Sequence, residues 1–127
     1  MLTLVPKEIE LYAVDHTSRL PANLEELTSI TYDTMDVPQM LSGPIEGTML
    51  QFLIRAIGAT HVIDVGTFTG FSAQMMAAAL PDNGIVITCE NDFKHAEMAR
   101  EHFKKSPHKH KIDLRIGQAL DILNSLT

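Results

Sequence analysis

The chain has 127 residues, 45% hydrophobic and 20% charged, which is the balance of one globular domain with a modest core. Its net charge of −6 excludes a nucleic acid or an anionic membrane as the main partner, because both require a basic face. No apolar run reaches the ~18 residues of a membrane span, and a lone cysteine excludes an internal disulfide.

In chain order, the first ten residues acquire charge too early for a secretory signal, so a cytoplasmic protein is expected. Residues 6–15 read as a short helix with Pro6 in its first turn and Ile9, Leu11 and Val14 as apolar positions. A second helix is expected after Ser18 or Pro21, with Leu24, Leu27 and Ile30 as its stripe. Residues 36–44, with two prolines and a glycine, are turn chemistry. A helix over about 44–57 follows, its apolar side made of Ile45, Met49, Leu50, Leu53, Ile54 and Ile57, and Gly58 ends it.

The next stretch, His61-Val-Ile-Asp-Val-Gly-Thr-Phe-Thr-Gly-Phe-Ser72, organises the rest. Residues 62–65 read as a buried parallel strand. Gly66 and Gly70 break the run, and residues 71–80 read as a helix, so the three pieces form the first half of a nucleotide-binding βαβ unit. Gly66 lets a ligand approach the backbone with no Cβ in the way. The spacing is not that of the dinucleotide fingerprint, since Phe68 stands where a second glycine belongs. Asp64 at the strand's end would repel a diphosphate and welcome a cation. S-adenosylmethionine, with its sulfonium and ammonium, therefore fits better than NAD.

After a turn at residues 81–84, residues 85–90 form a second apolar strand containing Cys89, read as a buried inert thiol. It ends in Glu90, 24 residues after Gly66, near the distance at which doubly wound folds place an acid on ribose hydroxyls. The competing role for Glu90 is capping the helix that follows, over about 92–105, but Asn91 and Asp92 already offer caps. Removing the Glu90 side chain is accordingly expected to cost ligand affinity and little stability. A third strand over 111–116 and a last helix over 119–126 complete a βαβαβα order. The lysines at 104–105 and 109–111 read as a solvated helix end and loop. His95, His102, His108 and His110 read as exposed, with no i, i+4 pair that would suggest a metal site.

Residues 64–72, with Met40-Leu-Ser-Gly-Pro-Ile-Glu-Gly47 before them and residues 79–84 and 111–119 after, resemble the cation-dependent O-methyltransferases related to caffeoyl-CoA and catechol O-methyltransferase. Two departures are Asp64, where that family usually has Glu, and Glu90, where many members have Asp. The resemblance implies a Rossmann-like α/β fold, here three parallel strands of a larger sheet. Residues 1–43 would form a helical arm and loop, and residues 44–127 the cofactor-binding portion of a single domain. It also implies that Ser42, Asp64, Gly66, Thr67 and Ser72 hold the amino-acid end and loop side of S-adenosylmethionine, that Glu90 takes the ribose, and that Ala119 lies by the adenine. Met40 would face the methyl group or the acceptor, a small hydroxylated aromatic molecule. The arm helices would contribute to a homodimer.

In the resembled family, later strands supply the ligands of a divalent cation such as Mg²⁺ and a catalytic lysine. None of those residues has a match here, and Asp82-Asn83 stands in the wrong turn to be the metal pair. The resemblance thus implies the cofactor half of a methyltransferase, shortened at Thr127, with the outer edge of the 62–65 strand left uncovered. The other reading is a module that keeps the nucleoside site, or only oligomerises, without catalysis.

Overall fold

The computed structural model describes residues 4–127. In chain order its elements are α1 (Lys7–Asp15), α2 (Ala22–Thr34), a 3₁₀ turn (Pro38–Met40), α3 (Gly43–Ile57), β1 (His61–Val65), α4 (Phe71–Ala79), β2 (Ile85–Glu90), α5 (Phe93–Lys105), a second 3₁₀ turn (Lys109–Lys111), β3 (Ile112–Ile116) and α6 (Ala119–Ser125). The strands form one parallel sheet in the order β1-β2-β3, with Asp64 opposite Thr88 and Glu90 opposite Ile116. β1 lies at the edge with its outer side uncovered, as expected, but it is not the buried strand its apolar run suggests: Ile63 and Val65 are exposed and none of its residues is fully buried.

The core follows from small residues on α4. Ala73, Met76 and Ala77 let the helix settle close over the sheet, where Val86, Ala99, Phe103 and Ile54 close round it. Gly70 starts α4 at φ +93, and a Cβ there would lie 2.6 Å from the Phe103 ring. Only glycine satisfies both demands. Asp92 caps α5 by accepting from the His95 N–H at 3.0 Å.

A second apolar cluster joins Leu24 and Leu27 of α2 to Phe71 and Met75 of α4. The third buried position on α2 is Thr31, one residue beyond the expected Ile30, which is only half-buried. Side-chain bonds stitch α2 down at two further points. Asn23 donates to Gln74 on α4, and Lys105 on α5 donates to Glu26.

Three expectations are corrected. The apolar residues of α3 do not share one buried side. Ile54 is buried and Leu50 packs against the core, but Ile45, Met49, Leu53 and Ile57 are exposed, the last to 77%. The helix has two apolar sides, and only the one bearing Gly47, Leu50 and Ile54 meets α4. Lys111 is not solvated: it is 4% exposed, and its Nζ donates to the carbonyls of Leu80 (2.8 Å) and Ala77 (3.3 Å). Both carbonyls lie at the C-terminal end of α4, where a cation is favoured. His102 is also buried, on the face of α5 that carries Ala99 and Phe103, and burial lowers its pKa, with the Lys105 charge adding to the effect.

Candidate functional site

The carboxyl ends of β1 and β2 carry a chain of polar contacts. Thr88 lies on the same strand face as Val86 and Glu90, because side chains alternate along a strand. It stands in register with Asp64. Thr88 Oγ1 donates to Asp64 Oδ2 at 2.8 Å, and Ser72, in the first turn of α4, donates to the same oxygen at 3.3 Å. The Thr88 proton is thereby committed, so the 2.7 Å contact between Thr67 and Thr88 is a bond donated by Thr67. Burial raises the Asp64 pKa; the bonds from Thr88 and Ser72 work against that rise, and the nearby Glu90 charge adds to it.

Glu90 closes the other side of the loop. It is 6% exposed, and both its oxygens are engaged. Oε2 accepts from the Phe68 N–H at 2.8 Å, and Oε1 accepts from the Asp92 N–H at 2.9 Å. The α5 cap is Asp92, not Glu90, but Glu90 does more for the fold than an acid at an open ligand edge. It pins Phe68, whose φ of +51 is left-handed for a residue with a side chain. Phe68 in turn is buried and meets the edge of His95. The expectation that Glu90 matters little to folding is therefore corrected.

Gly66, at φ +98, bonds its N–H to the Cys89 carbonyl at 3.0 Å, as does Thr67. Beyond Gly66 lies a cavity of about 270 Å³ walled by Gly66, Cys89, Glu90, Gly117, Gln118 and Ala119 among others. Gly117 donates its N–H to the Glu90 carbonyl, which ties the β3 end to the same wall. Cys89 is buried, and burial pushes its thiol pKa up, which suits an inert wall residue.

Of the residues expected at the site, Gly66, Glu90 and Ala119 therefore line one cavity. Asp64 and Ser72 are bonded to each other and do not line it, and Thr67 is buried with its hydroxyl committed to Thr88. Ser42 lines a different and larger groove of about 510 Å³ between α1, α2 and α3, together with Glu10, Tyr32 and Met49. Met40 is 56% exposed and lines neither space. Thr69, Thr88, Gly117 and Gln118 were not anticipated. For Thr88 the sequence does hold a trace, a lone hydroxyl two residues before Glu90 in an apolar strand. Among the described residues, no group of three or more His, Cys, Asp or Glu converges.

The chain is similar to several known proteins. A catechol O-methyltransferase from Niastella koreensis is 37% identical over 90 residues, covering 71% of this chain and 41% of that protein. The catechol O-methyltransferase domain-containing protein 1 of Mus musculus is 35% identical over 115 residues, covering 91% of this chain and 44% of that protein. The crystal structure of the O-methyltransferase TomG from Streptomyces achromogenes, in complex with S-adenosylmethionine, superposes with a TM-score of 0.86 at 27% identity, covering 94% of this chain and 53% of that one. The chain thus spans about half the length of these relatives. The sequence model of the family described as O-methyltransferase matches residues 14–127, and the chain belongs to that family.

Proposed function

We propose that this chain carries the S-adenosylmethionine site of an O-methyltransferase that acts on a small hydroxylated aromatic acceptor. The observation that carries the reading is the pairing of Asp64 and Glu90 on either side of Gly66 at the carboxyl edge of the sheet. Open α/β folds bind their ligands at that edge. Asp64 takes the cationic amino-acid end of the cofactor, with Ser72 orienting the carboxylate. Glu90 has lone pairs beyond those given to Phe68 and Asp92, and these accept from the ribose hydroxyls. Ala119, without a bulky side chain, forms the adenine side of the cavity. Held there, S-adenosylmethionine would supply the methyl group on its sulfonium sulfur to an acceptor oxygen and leave as the neutral thioether, with the hydroxyl proton released to water.

Ser42 and Met40 fit this reading less directly, since they stand on the arm side of the molecule. They belong to it if the acceptor enters from the α1–α3 groove. The divalent cation implied by the resemblance is a separate matter. The described residues offer it no converging donor set.

We further propose a cytoplasmic homodimer, with β1 and the outer side of α3 in the contact. Ile63, Val65, Phe52 and Ile57 are all exposed there, and β1 has no partner on its outer edge among the described residues. The test of the cofactor reading is calorimetry with S-adenosylhomocysteine and NAD on the 127-residue chain. Tighter binding of S-adenosylhomocysteine is the expected result, and tighter binding of NAD would sink the reading. A methyl-transfer assay with and without Mg²⁺ on the same chain then separates binding from turnover.

A further inference from the structure

One bond from the arm reaches the glycine loop itself. Thr31 on α2 and Thr69 in the loop are both fully buried, and their hydroxyl oxygens lie 3.0 Å apart. Thr31 Oγ1 also lies 2.7 Å from the Leu27 carbonyl oxygen. The Thr31 hydroxyl proton is shared between the Leu27 carbonyl and the Thr69 oxygen. The loop hydroxyl thus takes its partner from the arm. The pair sits beside the apolar cluster of Leu24, Leu27, Phe71 and Met75, where an unpaired hydroxyl would be costly.

The placement matters because the loop is held residue by residue. Thr67 is tied to Thr88 on β2, the Phe68 N–H to Glu90 at the end of β2, and Thr69 to Thr31 on the arm. Between them Gly66, Phe68 and Gly70 all take positive φ, a run of conformations with little intrinsic preference to persist. Two of the three ties come from the sheet that forms the cavity. The third comes from an element that contributes nothing else to the cavity wall.

We propose that Thr31 is a positioning residue for the cofactor site: by donating to Thr69 it sets the 66–70 loop in its ligand-ready form, so that docking of α2 is felt as cofactor affinity. The inference rests on the S-adenosylmethionine reading above. It extends the site to an arm residue that touches no part of the cavity.

The experiment compares Thr31→Val, Thr31→Ser and Thr69→Val in the full chain. Three readouts are taken: S-adenosylhomocysteine affinity by calorimetry, hydrogen exchange of the 66–71 amides without ligand, and a thermal melt. Thr31→Val keeps the shape and removes the donor, and it is expected to weaken binding roughly 5- to 20-fold and to speed loop exchange. Thr31→Ser keeps the hydroxyl and is expected to stay within about 3-fold of the parent in affinity. Joining Thr31→Val to Thr69→Val should cost no more affinity than the weaker-binding single variant, since both remove one bond. If Thr31→Val fails to fold, Thr69→Val cuts the same bond from the loop side and decides the matter. Parent-like affinity with unchanged loop exchange in the folded valine variant overturns the proposal. If the parent binds no S-adenosylhomocysteine, the cofactor reading falls, and the loop exchange alone then upholds or overturns the tie between arm and loop.

Discussion

The glycine loop and the outer side of α3 are built on opposite plans. In the loop, three successive residues, Thr67, Phe68 and Thr69, each hand a polar group to a partner from another part of the chain. On α3, Met49, Phe52, Leu53 and Ile57 present large apolar side chains to solvent. The first region is complete in itself, with its geometry set by directional bonds that tolerate little displacement. The second is unfinished, since non-directional apolar surface specifies that something covers it and says little about what. A ligand site preorganised by the chain's own bonds can thus sit beside a surface whose partner lies elsewhere.

The sharpest way to break the contrast is at Glu90. Glu90→Ala should weaken S-adenosylhomocysteine binding roughly 10- to 150-fold and also destabilise the ligand-free fold by about 2–4 kcal/mol, because the Phe68 and Asp92 N–H groups lose their acceptor. A titration beside a denaturant melt checks both. Loss of affinity with no loss of stability would show that the loop does not need the clamp.

Lys111→Met should cost about 1–3 kcal/mol of stability in the same melt, by leaving the buried Leu80 carbonyl without its donor. Cofactor affinity should change little, which separates support of the fold from support of the site.

Asp64 tests the loop by pH. Its pKa is raised by burial, so the contribution of this group to ligand-free stability is fully present below the ordinary aspartate value and is lost as pH rises through the raised one. A cationic ligand needs the carboxylate and reverses the preference. Cofactor binding should therefore weaken as pH falls through the raised value, at a higher pH than an ordinary aspartate would give. Asp64→Asn should remove that dependence and cost about 1–2 kcal/mol of binding. Calorimetry across the acidic range is the measurement, and an unchanged pH profile in Asp64→Asn would assign the dependence to another group.

The smallest effect on the fold belongs to the unfinished surface. Phe52→Glu or Ile57→Glu should move stability by no more than about 0.5 kcal/mol, since surface changes seldom exceed that. Either should abolish self-association in sedimentation at high protein concentration. A parent chain that is already monomeric under those conditions would remove the homodimer proposal.

Much of the sheet was legible because its signals are local. The apolar runs of β1 and β2, the glycines at 66 and 70 and the Asp92 cap each act within a few residues. The failures are tertiary. Lys111 looks like a solvated lysine until the α4 terminus, 31 residues away, is brought against it. The part Glu90 plays in the fold is hidden in the same way, because its bond to Phe68 spans 22 residues and requires a loop conformation that no pattern announces. Ser42 and Met40 are expected at the cofactor by resemblance alone; Ser42 lines the groove between α1, α2 and α3, and Met40 is exposed beside it. His102 is a different case. Its spacing from Ala99 and Phe103 already marks the inner face of α5, and its residue type masked that signal.

The stitching of α2 also bears on the order in which the molecule assembles. Its three side-chain bonds to the rest of the fold, at Asn23, Glu26 and Thr31, close chain loops of 51, 79 and 38 residues. Pairing of β1 with β2 closes only 24, as the match of His61 with Ile85 shows. Longer closures cost more chain entropy and are made later. The βαβ unit should therefore form first and α2 dock onto it afterwards, so the last clamp on the glycine loop arrives near the end of folding. On a refolding time course, competence to bind the cofactor should then lag behind the recovery of secondary structure.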